Sequence, residues 1–191
     1  MDNEKLIKVI EVVEGDSAQV QDIIDNVVTD YSADLDMVME NIYSNVICDQ
    51  CPAIVTIEKY FLELSNCLYR MCEKVEKLGV FDSISKSKAQ ETYNMKYLEH
   101  QSSNIGKTGA KKPTVAESTA TAEMESLYDK TVNDIYSRAY KILKNKISAA
   151  ETMVSTLSKI LSHRIQESQM TTVQTGRQIL NEGNTYDNNV F

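Results

Sequence analysis

Four cysteines are the residues of this chain whose type and spacing come closest to a recognisable chemistry. Cys48 and Cys51 form a C-x-x-C pair, and Cys67 and Cys72 form a C-x4-C pair. Four thiolates can hold zinc, and a C-x-x-C pair can exchange electrons. Cys67 and Cys72 lie in a strongly helical pattern, where five residues turn the chain by about 140°, so both cannot face one metal without distortion. We expect free buried thiols in a reducing cytosol, with zinc binding and redox exchange as alternatives.

A Gly-Lys-Thr run within residues 104–108 has the form of the end of a phosphate-binding loop. That loop requires an earlier glycine, where Gln101 stands, and a preceding strand that the pattern does not provide. The two histidines, His100 and His163, are isolated in the sequence, and no Ser-His-Asp or Cys-His arrangement can be argued. The sequence therefore predicts a protein that is not an enzyme and that uses no cofactor, metal or small-molecule substrate.

Charge is distributed unevenly along the 191 residues, which carry 28 acidic and 20 basic side chains. Residues 1–50 hold twelve acids and two bases, whereas residues 136–176 hold six bases and two acids. At about 100° per residue, one face of the basic segment carries Lys and Arg among Ser, Thr and Asn, with no acid. Such groups contact phosphates, although a solvated helix face is the ordinary explanation.

This face and the lysines near Gly106 and Gly109 are the predicted contacts to the phosphate chain of a nucleic acid. Tyr128, Tyr136 and Tyr140 are close enough in sequence to offer base-stacking surfaces, although core packing is the better explanation for Tyr128. The candidate nucleic-acid-binding residues are Lys107, Lys111, Lys112, Arg138, Lys141, Lys144, Lys146, Lys159 and Arg164.

Helices must position these residues, because only six glycines and two prolines interrupt the chain. Residues 4–14 predict a short apolar helix or strand, and Gly15 predicts a break after it. Residues 17–46 predict an amphipathic helix, since apolar residues recur there at steps of three and four.

The clearest pattern follows Pro52. Apolar residues step by four and three from Ile57 to Leu78, which is a heptad seam, and Gly79 is placed to end that helix. A weaker helix is predicted over residues 82–101.

The second half of the chain predicts a basic connector over residues 101–116 and then the longest helix. This helix is expected to begin at Ser118 or Thr119 and to run past residue 165. It carries two apolar seams offset by one position, a stutter that locally unwinds a supercoil. We expect the second seam to join chains in an oligomer, through Leu143, Ile147, Val154, Leu157 and Leu161.

These elements predict an all-α fold of elongated antiparallel helical hairpins with coiled-coil-like seams. A lone hairpin buries little area per residue, so we expect a homo-oligomer. No run of about 18 apolar residues and no signal-like N-terminus occurs, which predicts a cytoplasmic protein without a membrane partner. The four regions are an acidic helical region over 1–100, a connector over 101–117, a long helix over 118–169 and a polar tail over 170–191.

A helical hairpin, a polar connector and a long helix opened by residues 112–117 (KPTVAE) follow one another over residues 30–168. The long helix ends in a Leu157, Leu161, Arg164, Ile165 pattern. This layout resembles the UvsY-like family of small helical recombination mediators of tailed phages. The resemblance implies a ring-forming, non-enzymatic protein in the host cytoplasm that binds single-stranded DNA, helps displace the single-strand binding protein and loads the recombinase.

Two other functions remain open. The seams and the net acidity also suit a helical structural or assembly protein, such as a phage virion or scaffold component, that acts through protein–protein contacts. The acidic helix over residues 17–46 also suits a regulator that covers a basic site on another protein.

Overall fold

The computed structural model shows an all-α protein, which confirms the predicted fold class. It describes the backbone of residues 3–49, 51–103 and 113–183, and the side chains of residues 17–49, 51–103 and 113–174. None of the residues so described lies in a β-strand. The helices are α1 (Asn3–Ile42), which continues into a π-helical turn (Tyr43–Ile47), α2 (Ile54–Ser102), α3 (Val115–Glu125) and α4 (Leu127–Gly183).

The chain divides into two compact units, and each of the long helices α1, α2 and α4 contributes one stretch to each unit. Unit one contains residues 1–33 and 70–147, and unit two contains residues 34–69 and 148–191.

The core of unit one is aliphatic and is built from four helices. Polar contacts fasten these helices together at its edge, where Lys144 of α4 pairs with Glu76 of α2 and Lys146 of α4 donates to Ser32 of α1. The buried apolar side chains come from α1 (Ile24, Val28), α2 (Met71, Val75, Leu78, Ala89), α3 (Ala122) and α4 (Ala139, Leu143, Ile147).

Helix α2 runs antiparallel to α3 and the start of α4 in unit one. The Nδ1 atom of His100 lies 3.0 Å from the hydroxyl of Ser118, and the hydroxyl of Thr92 donates to Asp129 over 2.7 Å. Residue numbers therefore decrease along α2 in the direction in which they increase along α3 and α4. The hydrogen bond from Thr92, followed by that from Lys88, lowers the pKa of the Asp129 carboxyl. The predicted antiparallel hairpin is therefore present.

Unit two has a core of its own. The turn into α2 is fixed locally, because the side chain of Asp49 accepts a hydrogen bond of 3.0 Å from the backbone N–H of Cys51, and Pro52 follows at once. The buried apolar side chains are Leu35, Val38, Ile42 and Val46 before this turn, Ile57, Leu64 and Leu68 after it, and Ala150 and Leu157 in α4.

Two predicted helix boundaries are wrong. Helix α1 continues through Gly15, and α2 continues through Gly79. A glycine inside a helix costs about 1 kcal/mol relative to alanine, which the apolar residues on either side of it can outweigh. The predicted seam from Ile57 to Leu78 is confirmed, since six of its seven side chains are buried and Phe61 is half-buried.

The predicted helix start at Ser118 or Thr119 is also wrong, for a different reason. Helix α3 begins at Val115, before Ser118, because Thr114 and Glu117 form a capping box. Glu117 accepts a 2.8 Å hydrogen bond from the backbone of Thr114, and this bond lowers the pKa of its carboxyl. The single helix expected here is two helices, separated at the buried Ser126, and α4 extends to Gly183 through most of the predicted polar tail.

Candidate nucleic-acid interface

The basic residues predicted to bind nucleic acid fall into three groups. Lys107, Lys111 and Lys112 lie outside the described residues. The other six are on α4, where Arg138, Lys141, Lys144 and Lys146 belong to unit one and Lys159 and Arg164 belong to unit two.

In unit one, Arg138 and Lys141 are exposed and neither forms an ion pair with a described residue. Lys144 differs, because its ammonium lies 2.6 Å from Glu76 and 5.4 Å above the ring of Tyr140. The hydrogen bond with Glu76, followed by that with Tyr140, raises the pKa of Lys144. Lys144 is therefore partly neutralised within its own chain.

Lys146 serves the core of unit one. Its ammonium donates a 2.9 Å hydrogen bond to the hydroxyl of Ser32, which is fully buried, and the lysine itself is half-buried. A lysine whose stem packs against apolar surface and whose head is hydrogen-bonded stabilises the contact between two helices. Lys146 could bind a phosphate only if its hydrogen bond to Ser32 broke.

In unit two, Lys159 is exposed without an ion pair to a described residue, whereas Arg164 is engaged. The guanidinium of Arg164 donates to Glu167 over 2.8 Å and to the sulfur of Cys51 over 2.6 Å. The contacts with Cys51 and then Glu167 raise the pKa of Arg164. Arg164 thereby ties α4 to the turn that precedes α2.

Three hydroxyl side chains lie between these bases and already donate hydrogen bonds; Thr152 and Ser155 are exposed, and Thr156 is half-buried. Thr152 donates to the carbonyl of Ser148, Ser155 to that of Glu151 and Thr156 to that of Thr152, over 3.0 to 3.2 Å. Their protons are therefore directed into the helix, and the ammonium and guanidinium groups are the donors of this face that could reach an anion.

The three tyrosines have different environments. Tyr128 is 77% exposed, so the expectation that it packs in the core is wrong, and its ring is free to stack. Tyr136 lies with its ring centroid 6.1 Å from that of Phe81, and the ring of Tyr140 covers Gly79.

The second apolar seam of α4 packs inside one chain. Leu143, Ile147 and Leu157 are buried, so in this fold they are not available to a second chain. Val154 and Leu161 are half-buried, and for them a contact between chains remains a prediction.

The four cysteines form no disulfide, as expected, but the expectation that they are buried is wrong for three of them. Cys48, Cys51 and Cys72 are exposed, and Cys67 is half-buried. Within the described ranges, no three His, Cys, Asp or Glu side chains gather closely enough to hold a metal ion.

Sequence reasoning missed a set of exposed apolar side chains on α2. In unit two these are Val55, Leu62 and Tyr69, and in unit one they include Met95 and Leu98. The heptad spacing of the first three was a detectable signal, but the stronger seam of the same helix masked it.

Over the parts of the chain that the structure describes, none of the helices combines the length and the apolar character needed to span a membrane.

Comparisons of the chain with protein-family models, with curated proteins and with solved structures find no match.

Proposed function

We propose that this protein is a non-enzymatic mediator that binds single-stranded DNA in the host cytoplasm and assembles a recombinase filament on it. The observation that carries the proposal is that Arg138, Lys141 and Lys159 are exposed on α4 with no ion pair to a described residue. Cations of this kind neutralise phosphates and release the counterions condensed on the strand. The recombinase and the single-strand binding protein are the protein partners that this function requires.

The number of available cations sets the expected strength of binding. Each phosphate contact to a single strand lowers the slope of log affinity against log salt by about 0.7, so three contacts give a slope of about −2 per chain. Such a slope corresponds to weak binding by one chain. Stable coverage of a strand would need several chains side by side.

The test is the fluorescence anisotropy of a labelled single-stranded oligonucleotide, measured across a salt series with the full chain. Arg138→Glu combined with Lys141→Glu should weaken binding at least about tenfold at low salt and make the salt slope less steep by about 1.4. The matched control is Lys74→Glu combined with Lys86→Glu, which reverses two exposed lysines of α2 and changes the net charge by the same amount.

Equal losses in the two variants would show that net charge alone governs binding and would contradict the assignment to α4. An affinity that does not depend on salt, or no binding at low salt, would contradict the function.

A second function, that of a helical structural or assembly protein, is favoured by the exposed apolar side chains of α2. Val55, Leu62 and Tyr69 of unit two are exposed at a spacing of seven residues, which places them on one side of the helix. Apolar contacts of this kind are not screened by salt. Sedimentation of the full chain should then show an oligomer that persists at high salt, and a monomer at every concentration would contradict this alternative.

A further inference from the structure

Helix α2 of unit one has a second apolar face, which we call the outer stripe. At about 100° per residue its members fall within an arc of about 80°. Val80, Ile84, Met95 and Leu98 are between 48% and 64% exposed, so the apolar part of the stripe is open to solvent. The outer stripe consists of Val80, Ile84, Ser87, Glu91, Met95 and Leu98.

The outer stripe lies opposite the face of α2 that the core uses. Val75, Leu78, Ser85 and Ala89 are buried, and their mean direction is about 160° from that of the stripe. A surface helix of a single globular unit is apolar on one face only. An exposed second apolar face on such a helix marks a surface for a further contact, and the described helices of unit one cover only one of the two faces.

The outer stripe is complementary to the same stripe of a second, antiparallel copy of α2. If two copies of α2 run antiparallel about an axis between residues 89 and 90, Val80 of each copy lies within one residue, about 1.5 Å, of the level of Leu98 of the other. Ile84 then lies level with Met95 of the other copy. Each of these two apolar pairs forms twice, once on each side of the axis, as a two-fold symmetric contact requires.

The charges near the middle of the stripe fit the same arrangement, with Glu91 on the stripe and Lys88 about 60° to one side of its centre. Lys88 and Glu91 flank the axis on either side, so that each lysine lies level with the glutamate of the other copy. The lysine side chain is 67% exposed although its ammonium lies 3.2 Å from Asp129, and an ammonium has three protons to donate. A parallel pair in register would place Glu91 directly level with Glu91, whereas in the antiparallel pair the two glutamates are offset by about 4.5 Å along the axis and each is level with a lysine.

We propose that the outer stripe binds a second copy of this chain, with the two α2 helices antiparallel and Ile84 of each copy facing Met95 of the other. The contact requires no nucleic acid and uses none of the basic residues of α4. It assigns self-association to a surface that is free in the folded chain, in contrast to the buried Leu143 and Leu157.

Two complementary variants of the full chain test this register. Ile84→Glu places a carboxylate opposite Met95 and near Glu91 of the second copy, and Met95→Lys places an ammonium opposite Ile84. Each variant alone should dissociate at least about tenfold more readily than the native chain, because a charge is buried against an apolar group. Mixed in equal amounts, the two variants should form a 1:1 heterodimer, in which the introduced carboxylate and the introduced ammonium form one ion pair and the native Ile84 and Met95 form one apolar contact.

Sedimentation velocity and native mass spectrometry measure these species, and circular dichroism confirms that the exposed substitutions leave the helices intact. Gln90→Glu and Gln90→Lys are the control variants, because Gln90 is exposed about a quarter turn from the stripe and should tolerate either charge.

A mixture that stays monomeric would overturn the antiparallel register. Variants that associate like the native chain, or a native chain that is monomeric at micromolar concentration, would overturn the interface itself. None of these outcomes bears on the salt-dependent DNA binding, which Arg138 and Lys141 test separately.

Discussion

At Gly79, helix α2 passes directly beneath the ring of Tyr140. A Cβ atom at this position would lie 3.0 Å from the Cε2 atom of that ring, which is tighter than most real Cβ contacts and requires the ring to move by a few tenths of an ångström. Lys144 lies above the same ring, with its ammonium 5.4 Å from the centroid. The glycine therefore weakens the helix so that α4 can approach α2 closely.

The energy of this close approach can be measured in a double-mutant cycle. In a Tyr140→Ala background, Gly79→Ala should stabilise the protein by about 1 kcal/mol, the helix propensity of alanine over glycine. In the native background the same substitution should stabilise the protein by less than this, or destabilise it, because the ring of Tyr140 must move. Urea unfolding monitored by circular dichroism gives both values, and equal effects in the two backgrounds would show that Tyr140 does not constrain position 79.

At the scale of one element, α2 shows how a single helix can have two apolar faces with different roles. In unit two, Leu64 is fully buried whereas Leu62 is 61% exposed, although the two residues are the same type and lie two positions apart. Leu64 contributes to the core of unit two, and Leu62 contributes to its surface.

Alanine substitution should separate these roles. Leu64→Ala removes buried methyl groups and leaves a cavity, so it should cost about 2–5 kcal/mol of unfolding free energy. Leu62→Ala is the matched control and should change stability by no more than about 0.5 kcal/mol. Thermal unfolding of the monomeric species measures both, and a similar cost at the two positions would contradict the burial that distinguishes them.

At the scale of the whole molecule, the distribution of charge opposes the proposed function. The chain has a formal net charge of −8, and its exposed acids include Asp22, Asp25 and Asp30 on α1. A negative protein repels a polynucleotide over distances of about one Debye length, even where individual cations attract it. The acidic helix should therefore reduce the affinity of the cations on α4 for DNA.

Replacing these three aspartates by asparagine should raise the affinity for single-stranded DNA several-fold at low salt. The gain should vanish at about 1 M salt, where the Debye length falls to about 3 Å. Anisotropy titrations of the native and substituted chains at both salt concentrations provide the comparison. A gain that persists at high salt would indicate a direct contact rather than long-range repulsion.

The sequence by itself determined the all-α class and the faces of individual helices. The steps of four and three from Ile57 to Leu78 predicted a buried seam, and burial confirms it, because helical periodicity depends only on neighbours along the chain. The segment Thr114–Glu117 contained a helix start of the same local kind, although the predicted start lies later in the chain, at Ser118 or Thr119.

Only the tertiary structure decided which side chains remain available. Lys141 and Lys144 are alike in sequence, yet Lys144 is paired with Glu76, which lies 68 positions away, and Lys141 is not. Gly79 ends no helix because packing on both sides of it continues, and Leu143 is unavailable to a second chain because its own chain covers it. Periodicity shows which residues share a face, but which partner covers that face depends on contacts between residues far apart in sequence.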